Sequence, residues 1–247
     1  AYISSNSNYI SNSNIIMNDV EGIGIYVEDG TATNSAGKTI TLTNLGTMAV
    51  GMAAETTTGK EASIKNEGTI ESGSNIGMYV AGSGSNFGIN SGTINVTTGT
   101  GVFVKDDDNG FNGAGGTINI KNHGTGIVLD GTGNGQITNA GTINLKEINS
   151  IGIYAKNNAA IDFPVTIKGT MGIGAYAENG SIVSGTIDAS NSENTIAVYL
   201  EDGNTILNGA KINTGKAIVG STTTSLGLFL GGTGEIHSIS NTVIDVL

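Results

Sequence analysis

Residues 23–28 read IGIYVE. Apolar side chains stand at 23, 25 and 27, with Gly24, Tyr26 and Glu28 between them. An alternation of period two is the signature of a strand, and it predicts Ile23, Ile25 and Val27 on one face with Gly24, Tyr26 and Glu28 on the other. A helix needs apolar residues three and four apart, and that spacing is missing. The phrase then returns as VGMAAE around Gly51, IGMYVA around Gly77, TGVFVK around Gly101 and TGIVLD around Gly126. It continues as IGIYAK around Gly152, IGAYAE around Gly174 and IAVYLE, where Ala197 takes the glycine place; LGLFLG around Gly227 is a weaker copy. Successive spacings from Gly24 to Ala197 are 27, 26, 24, 25, 26, 22 and 23 residues.

A second phrase lies between the copies. It reads KNEGTI at 65–70, NSGTIN at 90–95, GGTINI at 115–120 and TNAGTI at 138–143. Each unit is therefore two or three short β-prone pieces separated by Gly, Asn and Ser. A unit of roughly 24 residues that cannot bury its own apolar face must stack on its neighbours. The expected fold is all-β: a right-handed parallel β-helix of nine or ten coils, rising ~4.8 Å per coil. Residues 1–20 read as an N-terminal flank or irregular first coil, and 21–247 as the repeat domain.

Composition narrows the function classes. Gly is 40 of 247 residues, roughly twice ordinary usage, with a single Pro and no Cys. The regular apolar beat argues against disorder. Net charge is −11, and the basic residues number only ten, all Lys. Such a chain cannot neutralise a run of phosphates, so nucleic acid and anionic membrane surfaces are poor partners. No apolar run is long enough to span a bilayer as a helix, and no stretch reads as a signal peptide. Any such segment is expected outside this sequence.

Stacking the units puts like residues in columns. Two residues past the glycine comes an outward column of Tyr26, Ala53, Tyr79, Phe103, Val128, Tyr154, Tyr176 and Tyr199. Four past it come Glu28, Glu55, Ala81, Lys105, Asp130, Lys156, Glu178 and Glu201, seven of the eight charged. The aromatic column has two readings. Its rings staple the coils and cover the neighbouring glycines, or they form a binding stripe for sugar rings or a protein. Tyr154, Tyr176 and Tyr199 form its longest unbroken run and are the leading receptor-binding candidates, followed by Tyr79 and Phe103.

Other features read as structural. Asn44, Asn66, Asn122 and Asn139 each stand with one residue before the next Gly-Thr, where Asn suits a turn and a stacked amide ladder. Thr47, Thr69, Thr93, Thr117, Thr142 and Thr186 each follow a Gly and are expected to form a column. Segments 29–38 and 106–116 read as turn-like insertions on one edge of the rod, and Pro164 as a strand end or bulge. Asp106, Asp107 and Asp108 form an acidic loop, a further receptor-contact candidate. A weak calcium site is the alternative there, although an EF-hand fails because Gly110 falls at its fifth place. Polysaccharide-degrading enzymes also use β-helices. Asp162 and Asp188 are candidates for adjacent coils, but no other catalytic group converges on them. His123 and His237 are isolated, so no catalytic, cofactor or metal residues are assigned.

The phrases IGIYVEDG, NEGTIESGSNIGMYV, NAGTINLKEINSIGIYAKNN and TIAVYLEDGN resemble the passenger repeats of bacterial type V autotransporters, in particular the large fusobacterial outer-membrane adhesins. The resemblance covers residues ~20–230 and concerns a structural repeat, so it carries over no catalytic residue. It implies a signal peptide upstream, an outer-membrane β-barrel downstream and display at the cell surface, or release from it. The implied role is adhesion, a virulence function, to host cells or other bacteria through a glycan or protein receptor. No cofactor or enzymatic activity is implied, and a monomer is expected. The rival readings are a non-binding stalk and, third, a polysaccharide-degrading enzyme.

Overall fold

The computed structural model describes residues 1–18, 21–43, 49–106, 109–131, 136–147, 149–201, 205–215, 225–232 and 237–245. Among these residues there are strands and turns and no helix, hence no helix able to cross a membrane. All described strand pairings are parallel, and they join strands one repeat apart, as Val102 with Met78 and Ile127. The described strands form one 22-stranded and one 4-stranded sheet. The chain is a right-handed β-solenoid with about eight turns, slightly fewer than the nine or ten expected.

Each turn has three walls. The first carries the aromatic column, as in Val50–Thr56 and Ile76–Gly82. The second includes Glu61–Asn66 and Ser85–Asn90, and the third includes Thr69–Gly73 and Thr93–Val96. The inward columns meet along the axis. On the third wall Ile40, Ile70, Ile94, Ile118, Ile143 and Ile167 lie one above another, all fully buried. On the first wall Ile25, Met52, Met78, Val102, Ile127 and Ile153 do the same. Each such side chain contributes about 1.5–3 kcal/mol by leaving water. The ladder fixes register too, because a one-residue slip would turn its Ile residues outward.

The repeated glycine sits elsewhere than alternation implies. Gly24 and Ile25 are both buried, whereas Ile23 is 43% exposed. A corner of the coil falls at this step, so the alternation starts afresh at Ile25. The glycines line that corner from inside and do not lie beneath the tyrosines. A Cβ on Gly77 would stand 2.6 Å from the carbonyl oxygen of Gly101 and 2.9 Å from Cγ2 of Ile94. The glycine is thus required by a close backbone approach and by the isoleucine ladder of the third wall.

Three further expectations are corrected. Segments 29–38 and 106–116 are not insertions throughout, because each contains part of a wall strand. Ile23–Asn34 is a continuous strand that turns at Gly30 (φ +114°) and pairs with Ala62 to Asn66, while Asn109–Asn112 pairs with Asn86 to Ile89. Ala32 and Phe111 point inward and are buried, which anchors both as wall strands. The buried amide ladder runs through Asn34, Asn66 and Asn90, at 2.8 and 2.9 Å, without Asn122 or Asn139. Asn122 is in a left-handed turn, and the Asn139 side chain accepts from the Gly141 amide. The threonine column comprises Thr39, Thr69, Thr93, Thr117, Thr142 and Thr166, whereas Thr186 pairs with Lys211. Asn44 and Thr47 lie outside the described residues. Pro164 immediately precedes the strand Val165–Ala177, where its missing N–H is harmless.

Candidate functional site

The aromatic column of the first wall forms in register. Tyr79 pairs with Phe103, Tyr154 with Tyr176, and Tyr176 with Tyr199. The column extends beyond its sequence-predicted members at both ends: Tyr2 pairs with Tyr26, and Phe229 with Tyr199. Buried Ala53 and Val128 divide it. Three ring groups result: Tyr2 with Tyr26, Tyr79 with Phe103, and a run from Tyr154 through Tyr176 and Tyr199 to Phe229. Tyr2 and Phe229 escaped the sequence reading because Tyr2 has no glycine before it, and the late LGLFLG copy follows a longer interval.

Ring centroids in the long run are 5.2, 5.0 and 4.9 Å apart. Tyr176 stacks on Tyr199 with 14° between planes, and Tyr154 meets Tyr176 edge-on at 80°. The rings of Tyr154, Tyr176 and Tyr199 are half-buried, and Phe229 at the end of the run is exposed. Stacking covers ring faces and leaves edges toward solvent, a geometry that itself stabilises neighbouring coils. A column of carboxylates runs alongside. The Tyr154 hydroxyl donates to Glu178 of the next coil, and the Tyr176 hydroxyl to Glu201 at 3.3 Å. Tyr2 donates to Glu28 in the same way. Burial, then the adjacent carboxylate, holds the Tyr154 and Tyr176 phenols well above the ordinary tyrosine range.

The charged column alternates in sign at its middle. Lys105, Asp130 and Lys156 are neighbours, and Lys156 Nζ lies 3.1 Å from Asp130 Oδ2. Burial works against the charge of Asp130, but hydrogen bonds from Asn157 and Lys156 outweigh it and leave its carboxyl below the usual range. Glu28, Glu55, Glu178 and Glu201 leave the two ends of the column acidic. Ala81 alone in this column is buried.

The remaining candidates are scattered. Asp106 is an exposed residue at the end of the Phe103 strand, in a left-handed conformation, its amide donating to the Asp130 carbonyl. Asp107 and Asp108 lie outside the described residues. Ile161 pairs with Val183 and Thr166 with Asp188, so Asp162 and Asp188 are set apart along the strand direction. The His123 ring contacts the Asn149 amide at 3.1 Å. His237 is held between the Thr205 hydroxyl at 2.6 Å and the Gly231 carbonyl at 2.9 Å. Since a carbonyl only accepts, Nε2 carries a proton toward Gly231, while the Thr205 hydroxyl also donates to the Glu201 carbonyl at 3.1 Å. Among the described residues no group of three His, Asp or Glu side chains is placed to hold a metal ion.

In comparisons with protein-family models, curated proteins and solved structures, nothing matches this chain.

Proposed function

We propose that the chain is a segment of a surface-displayed adhesin passenger of the autotransporter type. Its role is attachment to host cells or other bacteria through a glycan or protein receptor, without catalysis. The observation that carries this reading is the four-ring run from Tyr154 to Phe229, flanked by Glu178 and Glu201 on a rigid wall. Aromatic edges beside carboxylates suit a partner that brings apolar area and basic groups, and tyrosine contributes such contact at low entropy cost. The ladder architecture supports display, since every turn adds length to a rod without adding a joint. The excess of acidic residues keeps like rods apart at a crowded surface.

A second reading, a spacer, is favoured by one observation. The ring faces and hydroxyls of the stripe are engaged with each other and with Glu178 and Glu201, as a packing ladder requires. Binding of the labelled chain to epithelial cells and to a glycan array separates the two. Saturable binding supports the adhesin, and no binding on either surface supports the spacer.

A further inference from the structure

The second wall carries an aromatic residue whose surroundings differ from the stripe. Its outward column runs Thr31, Ser63, Phe87 and Gly110 in successive coils. In the stripe each ring lies against another ring. Phe87 has Ser63 on one side and Gly110 on the other, both too small to cover a phenyl face. The ring is half-buried, so it is fixed by packing and still open.

A depression of about 190 Å³ opens on the Ser63 side, lined by Thr31, Glu61, Ser63, Ser85 and Phe87, with Asn6 at its rim. A second, of about 340 Å³, adjoins it, shares Glu61 and Ser85, and extends to Thr58 and Ser83. Glu61 is exposed, and among the described residues no side chain bonds its carboxylate. The neighbouring cation, Lys60, is taken by Glu28 at 3.0 Å.

These groups sort by chemistry. The free phenyl face accepts a flat patch of C–H bonds. A carboxylate accepts hydrogen bonds from two adjacent hydroxyls at once. Serine and threonine hydroxyls donate or accept as required. A pyranose presents all three features: an apolar C–H face, a vicinal diol on its edge, and further hydroxyls. The uncompensated charge of Glu61 repels acidic sugars.

We propose that this groove is a carbohydrate-binding site for a neutral glycan. One pyranose stacks on Phe87 with its vicinal hydroxyls on Glu61, and a second sugar occupies the depression toward Thr58 and Ser83. The site is open, so a single sugar binds weakly, and useful avidity comes from many displayed copies. This proposal goes beyond the attachment reading and does not depend on it, because it concerns another wall and another set of residues.

Saturation-transfer NMR on the 247-residue chain tests it, with methyl β-D-galactopyranoside and methyl β-D-glucopyranoside as probes at about 10 mM. Transfer is expected on the ring C–H protons of at least one glycoside. Phe87→Ala should abolish it, and Glu61→Gln should weaken binding about fivefold or more. Lys121→Ala, at an exposed position outside both the groove and the aromatic stripe, should leave it unchanged. Glu61 is exposed, so its variant remains informative even if Phe87→Ala perturbs packing. Absence of transfer to both glycosides overturns the proposal, as does transfer that persists in both groove variants. A chain that attaches to cells but takes neither glycoside refutes the groove alone. A chain that takes a glycoside but attaches to no cell refutes the attachment reading alone.

Discussion

The Tyr154 hydroxyl donates to the carboxylate of Glu178, which stands one coil further along the rod and beside the ring of Tyr176. The bond ties two coils on their outer surface, where the isoleucine ladders cannot reach. Tyr154→Phe and Glu178→Gln should each lower stability, and the double variant should lose less than the sum. A hydrogen bond to a charged group contributes about 1.5–3 kcal/mol when shielded, and partial exposure brings the expected coupling to about 1 kcal/mol. Urea unfolding of the four proteins of the cycle measures it. Additive losses would mean the contact carries no energy.

Alkaline pH should unfold the chain cooperatively. The Tyr154 and Tyr176 phenols are held above their ordinary value by burial and then by carboxylates, and Tyr26 and Tyr79 are also raised, burial first. A raised folded value means that the folded state keeps its protons after the unfolded state would lose them. Stability is therefore full below about pH 10 and falls as pH rises beyond it. Tyrosinate absorbance near 295 nm should rise together with the loss of β-structure. A smooth rise near pH 10 from all tyrosines, with the fold intact, would contradict the buried column.

The amide ladder offers a contrast between buried and wetter sites. Asn66 accepts from Asn34 at 2.8 Å and donates to Asn90 at 2.9 Å, and all three are fully or almost fully buried. Asn66→Ala leaves two buried partners short of a bond and should cost about 2 kcal/mol. Asn119 sits in a partly exposed ladder between Asn95 and Asn144. There water replaces the lost amide, so Asn119→Ala should cost about 0.5 kcal/mol. Thermal midpoints of the two variants give the comparison, and equal losses would refute the distinction.

Much of this fold is legible in the sequence because the repeat and the alternation are local. Ile25 and Val27, two apart, are enough to give strand, face and stacking column. What escapes is decided at corners. Gly24 and Ile25 are consecutive and both buried because the chain bends there, and a period-two reading cannot see a bend that resets its phase. The same blindness turned the strand through Thr31 and Ala32 into an expected loop. The buried ladder Asn34–Asn66–Asn90 joins residues 32 and 24 apart; alignment on the Gly-Thr phrase groups Asn66 with Asn90 but misses Asn34, which is followed by SAGKT and has no Gly-Thr step. Tyr154, Tyr176 and Tyr199 were legible as a column, but not the covering of their faces, which depends on side-chain rotamers. Phe87 and Glu61 meet only through the register of the second wall, and their phrases carry no repeat signature.

The most direct measurement is the binding of the labelled chain to epithelial cells, wild type against Tyr154→Ser/Tyr176→Ser at matched thermal stability. If the stripe on the first wall meets a receptor, the wild type binds saturably and the variant loses about tenfold or more in affinity, the scale of a contact centred on aromatic anchors. Equal binding by both proteins, or binding by neither, would contradict attachment through this stripe.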